Sequence, residues 1–163
     1  MSGLGKQCLR GLVKHHYREL RNIPILYEEG KKSISFDEFS KRSFTLFGIL
    51  PNKSHTAYTI LNRVLVPEQL YELGHRHSTV KQVITGCMAH ELEHVVVYQS
   101  FSLKNIFIRG NEGRAWVENE LDRRVIQRGL GEELYAMKEF HRTYMPRVTA
   151  NGLTAEQILA ELP

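Results

Sequence analysis

Thr79-Val80-Lys81-Gln82-Val83-Ile84-Thr85-Gly86-Cys87-Met88-Ala89-His90-Glu91-Leu92-Glu93-His94-Val95-Val96-Val97-Tyr98 repeats its apolar residues at three- and four-residue intervals, the signature of one long α-helix. Thr79 and Gln82 stand three apart, the spacing of a reciprocal capping box, and this places the helix start there. At about 100° per residue, Met88, Leu92, Val95 and Val96 fall opposite His90 and His94. One face is therefore expected to enter a core while the other looks into a cleft. Gly86 and Cys87 lie on or near the histidine side, where small side chains let a neighbouring backbone come close.

His90-Glu91-Leu92-Glu93-His94 is an H-E-x-x-H run. Residues four apart share a helix face, so both imidazoles can point at one spot. Neutral histidine nitrogens suit a tetrahedral Zn²⁺ that keeps a position open for water, and Glu91 is placed to take that water's proton. Two histidines leave such a site one protein ligand short. Glu118 is the candidate: Glu118 and Asp122 are spaced i,i+4 on the next helical segment, on the stripe that also carries Ala115, Leu121 and Val125. Glu120 points roughly the other way. Asp122 is assigned the supporting role of accepting the spare N–H of a ligand histidine and fixing its tautomer.

Upstream, Leu4, Cys8, Leu12, Val13, Tyr17 and Leu20 form an apolar stripe, with Lys6, Arg10, Lys14 and Arg18 off it, which predicts an N-terminal helix laid on the core. Residues 23–27 and 33–36 read as short strands around the turn at Glu29-Gly30-Lys31, a plausible hairpin. A short helix is expected over 39–50, and the segment 56–66, rich in β-branched and aromatic residues and closed by Pro67, reads as the strongest strand. Residues 101–110 read as a loop with at most one short strand, at the apolar cluster Ile106-Phe107-Ile108. Downstream, helices are expected over 112–128, ending at Gly129, and over 132–144, stopped by Pro146. A final helix follows its own capping box, Thr154 to Gln157. The expected fold is α+β: a small mixed or antiparallel sheet packed on an active-site helix, with a mostly helical C-terminal half. Residues 1–163 are expected to form one domain.

The net charge of +4 comes from 22 basic against 18 acidic residues spread along the chain rather than gathered in blocks, so nucleic-acid binding is not called for. Cys8 and Cys87 are the only cysteines, too few for a disulfide framework and suited to a reducing compartment. The sequence holds no apolar run of the roughly 20 residues needed to span a bilayer, and its first twenty residues lack the apolar core of a secretory signal. A cytoplasmic protein is expected.

With His90-Glu91-Leu92-Glu93-His94 followed 24 residues later by Glu118-Asn119-Glu120-Leu121-Asp122, the chain resembles the gluzincin metallopeptidases, whose pattern is H-E-x-x-H with a downstream E-x-x-x-D. The stretch from Asn62-Arg63-Val64-Leu65-Val66 through the motif to Asp122 also resembles the compact soluble members, the minigluzincins and ImmA/IrrE-type peptidases, and outside about Ile60 to Arg128 nothing carries over. The resemblance implies a zincin-like fold and zinc held by His90, His94 and Glu118, with Asp122 supporting a histidine, Glu91 as general base, and a peptide or protein substrate. A third histidine six residues after His94, as metzincins have, is replaced by Ser100, and neither Cys8 nor Cys87 sits where a deformylase places its ligand. No flanking motif identifies an oxyanion-stabilising group; Tyr98, His141 and Tyr144 are the candidates. The rival expectation is a non-catalytic, metal-stabilised module that binds a protein or nucleic acid. His15-His16 and His75/His77 read as surface and loop residues, Glu93 as solvated or paired with a basic neighbour, and Trp116 as core.

Overall fold

The computed structural model describes residues 3–23, 25–29, 58–62, 67–100, 110–144 and 152–163. Within them the chain runs α1 (Leu4–His15), a 3₁₀ turn (Arg18–Leu20), β1 (Ile25–Glu29), β2 (Tyr58–Asn62), α2 (Pro67–Glu72), α3 (His77–Ser100), α4 (Gly110–Gln127), α5 (Gly131–Tyr144) and α6 (Ala155–Glu161). The α+β expectation is corrected here. The described residues are overwhelmingly helical, and what organises them is a helix rather than a sheet. Strand pairing among them is confined to β1 and β2, which run parallel with Ile25 opposite Tyr58 and Glu29 opposite Asn62. Parallel neighbours cannot be joined by a tight hairpin, and the partner that β1 has among the described residues lies beyond position 57. The expected strand at 33–36, the short helix over 39–50 and the loop over 101–109 lie outside the described residues.

The organising element is α3. Its apolar residues are not confined to one side: Val83, Ile84, Cys87, Met88, Ala89, Leu92 and Val95 are all buried, and so are His90, Glu91 and Glu93. Such a helix belongs in the middle of a bundle. Packing against α5 is the main contact, with α1 and α4 on further sides and α2 at its start. The close approach to α5 rests on Gly86, where a Cβ would overlap the Glu133 carbonyl oxygen. α1 lays Cys8 and Leu12 on the core, and the following turn adds Tyr17 and Leu20, whose side chains are fully covered. The Tyr17 hydroxyl donates to the Ala89 carbonyl at 2.8 Å, fixing that turn to α3 one residue before His90.

Local signals account for most of the ends. Pro67 opens α2, since the first helical position needs no N–H. The start of α3 lies at His77, two residues before Thr79, so the Thr79/Gln82 pair sits inside the helix instead of capping it. Gly129, with φ +77°, takes the left-handed conformation that lets the chain leave α4, and its N–H bonds to the Ile126 carbonyl at 2.9 Å. The Thr154/Gln157 capping box forms as read, with both reciprocal hydrogen bonds made. Among the described residues no helix is long and apolar enough to cross a membrane.

Candidate metal centre

α3 carries His90 and Glu91 on one turn and His94 on the next, and their ligand atoms lie within 4.8 Å of one another. The His90 and His94 rings stand nearly perpendicular, interplanar angle 80°, with centroids 5.1 Å apart. α4 crosses this face and brings Glu118 to it: Glu118 Oε2 lies 3.1 Å from His90 Nε2 and 3.7 Å from His94 Nε2. Two ligand atoms bound at about 2.1 Å to one tetrahedral Zn²⁺ stand about 3.4 Å apart, so these separations bracket what such an ion requires. The donor set, two imidazoles and one carboxylate, is also one that zinc accepts. The residues fit the ion.

One turn along α4 from Glu118, Asp122 is completely buried and its Oδ1 lies 2.8 Å from His90 Nδ1. A proton held on Nδ1 by that carboxylate leaves Nε2 as the nitrogen facing His94 and Glu118. Burial alone would lower the His90 pKa, but the hydrogen bonds to Asp122 and Glu118 and the charges of Asp122 and Glu91 outweigh it and raise it to about 10. A metal ion at Nε2 would take the place of that second proton, and its binding would be coupled to proton release. Burial would raise the carboxyls of Glu118 and Asp122 as well. Hydrogen bonds from His90 and His94 instead hold Glu118 well below the usual carboxylate range, and His90 with Lys138 does the same for Asp122. Glu91 is the contrast. Burial pushes its carboxyl up, and the nearby Glu118 charge adds to the rise, while His94 and His90 oppose it. Of the carboxylates at the site it is the one best able to hold a proton.

Four further residues, Glu93, Arg128, His16 and Lys138, tie together the elements around this site. Glu93, expected at a solvated or paired position, is fully buried and is met by Arg128 from the end of α4. Arg128 also bonds the Glu19 carboxylate at 2.6 Å and the His16 carbonyl, and its guanidinium lies 4.2 Å from the Tyr17 ring centroid. His16, read as a surface residue, places Nδ1 3.0 Å from the Arg128 carbonyl. Lys138 of α5 reaches Asp122 Oδ2 at 2.8 Å. Its position was readable in principle: Leu134, Met137, Lys138 and His141 recur at helical spacing, all buried, and a lysine inside an inward stripe needs an anionic partner.

His141 is buried, and its pKa is pushed down to about 4, chiefly by burial and then by the positive charges of Lys138 and His90. It is thus a neutral imidazole near the site. Tyr144 is half-buried against Phe140 and the edge of His75, and the Tyr98 side chain lies outside the described residues. Ala115 is exposed, not inward, whereas Leu121 and Val125 face the core as read. Glu120 points away and pairs with Arg124 at 3.5 Å. Trp116, read as core, is 56% exposed. No protein-family model, no curated protein and no solved structure matches this chain.

Proposed function

We propose that this chain is a zinc-dependent peptidase of the gluzincin type, with His90, His94 and Glu118 as metal ligands, Asp122 supporting His90, and Glu91 as general base. The observation that carries the reading is the convergence of Glu118 Oε2 on both His90 Nε2 and His94 Nε2, from a separate helix and at separations of 3.1 and 3.7 Å. A histidine pair alone on a helix is common; a carboxylate delivered to it from another element, with a second carboxylate behind one imidazole, is what a catalytic zinc needs. When bound, zinc supplies Lewis acidity for the scissile carbonyl and for water. The chain's own part is proton handling and orientation. Glu91 takes the proton of the attacking water and passes it to the leaving amine, and its raised carboxyl suits it to hold the proton between those events. His94 and Glu118 are partly open to solvent, with side-chain exposures of 21% and 13%, which gives a substrate an approach to the otherwise buried site. A peptide or an unfolded segment of a protein is the substrate class proposed. A cytoplasmic location is proposed with it, supported by two free, buried thiols.

The test is metal analysis beside a peptide-library assay. The parent is expected to carry near-stoichiometric zinc and to cleave peptides. His90→Ala and Glu118→Ala are expected to lose both. Zinc retained in Glu118→Ala at parent affinity refutes the ligand set, and a folded, metal-loaded parent that cleaves no peptide refutes the peptidase reading.

A further inference from the structure

We propose that Lys138 is a positioning residue for the metal site, holding Asp122 from behind so that His90 presents Nε2 to the ion. The inference rests on the zinc reading above.

Asp122 has both carboxylate oxygens committed. Oδ1 accepts from His90 Nδ1 at 2.8 Å, while Oδ2 accepts from Lys138 Nζ and from the Leu153 backbone N–H, each at 2.8 Å. The donors come from α3, α5 and the turn before α6, so the carboxylate is fixed from three directions and cannot rotate without breaking a bond to one of them. Lys138 is itself 5% exposed. A buried carboxylate needs a cation, and Lys138 supplies one from outside the set of metal ligands, so Asp122 keeps a charged partner when His90 is a neutral ligand. The Gly152 turn completes the cradle: its φ is +97°, and a Cβ there would overlap Asp122 Oδ2. The site is thereby preset before any ion arrives, and α5 and the C-terminal turn belong to it although neither offers a ligand.

The test uses the full-length chain and zinc itself, with affinity read by chelator competition and fold by far-UV circular dichroism. Lys138→Met is expected to weaken zinc binding roughly 10- to 100-fold, the usual range for loss of a group that orients a ligand. Asp122→Asn should weaken it similarly, and adding Lys138→Met to Asp122→Asn should cost little more, since both act through one carboxylate. A merely structural lysine would leave the two losses multiplying, and that result overturns the proposal. So does a folded Lys138→Met that binds zinc as tightly as the parent, which leaves the zinc reading standing. A parent that binds no zinc overturns both. If Lys138→Met does not fold, imidazole nitrogen NMR of the unmutated chain decides: His90 must keep its proton on Nδ1 with and without zinc, and metal bound at Nδ1 refutes the proposal.

Discussion

Replacing Arg128 by Met removes the partner of a carboxylate that no solvent reaches. Glu93 is fully buried on α3, and Arg128 is the cation that meets it, itself with a side chain 23% exposed. Breaking a buried pair by deleting one member costs about 3–5 kcal/mol. The partial exposure of Arg128 puts this case near the lower end, about 3 kcal/mol, against a total stability of about 5–15 kcal/mol for a domain. For a chain of 163 residues, at roughly 2–4 °C per kcal/mol, the melting temperature of the metal-free protein should fall by about 6–12 °C. The loss should also depend on pH. Burial already raises the Glu93 carboxyl, with Arg128 and Arg124 opposing and the Tyr17 hydroxyl also in contact; without Arg128 it rises further. A carboxyl whose folded pKa exceeds its unfolded one opposes folding when ionised, so the deficit relative to the parent is full above the folded pKa and shrinks as pH falls through it. Paired melts of parent and Arg128→Met at pH 8 and pH 5, with Glu93→Gln added as a second substitution, measure this. The second substitution should restore part of the loss. A melting temperature within about 2 °C of the parent at both pH values, far inside the shift expected at this length, would show that the pair contributes nothing and that the burial argument fails.

Glu91→Gln should leave zinc content unchanged and lower peptide hydrolysis by about 10²- to 10⁴-fold, the usual weight of a general base; unchanged turnover sinks the assigned role. Gly152→Ala forces a side chain onto a backbone at φ +97° and into the Asp122–Lys138 contact, and should cost at least about 1–3 kcal/mol in urea denaturation together with weaker zinc binding. Thr154→Ala removes one half of the capping box of α6 and should cost about 1 kcal/mol, read by urea denaturation, with no effect on zinc affinity.

What the sequence disclosed depended on how local the physics was. The helices α3 to α6 were readable because their apolar spacing, Gly129 and the Thr154/Gln157 box act over a few residues. His90, Glu91 and His94 were readable for the same reason, and Glu118 and Asp122 because one helix face carries both. The β1–β2 pairing was not, since Ile25 meets Tyr58 across more than thirty positions and a strand candidate much nearer in sequence, over 33–36, competes for it. Pro67 reads as the close of a strand, while its fixed φ serves equally to open a helix, which is its place in the fold. Glu93 shows the limit most plainly: a glutamate is expected in water unless paired, and its cation stands 35 positions away, beyond what any helical period reveals. The inward lysine at 138 left a trace in its stripe, but the partner it needed was visible only once α4 and α5 were side by side.

Gly86 sits one turn ahead of His90 and brings no side chain to the candidate site, yet the space a methyl would fill there is already taken by a carbonyl of the opposite helix. Any descendant of this chain that keeps the centre inherits that prohibition. In a saturation scan of α3, the column at 86 should be as intolerant as the columns of the ligands, for want of room and not for want of chemistry.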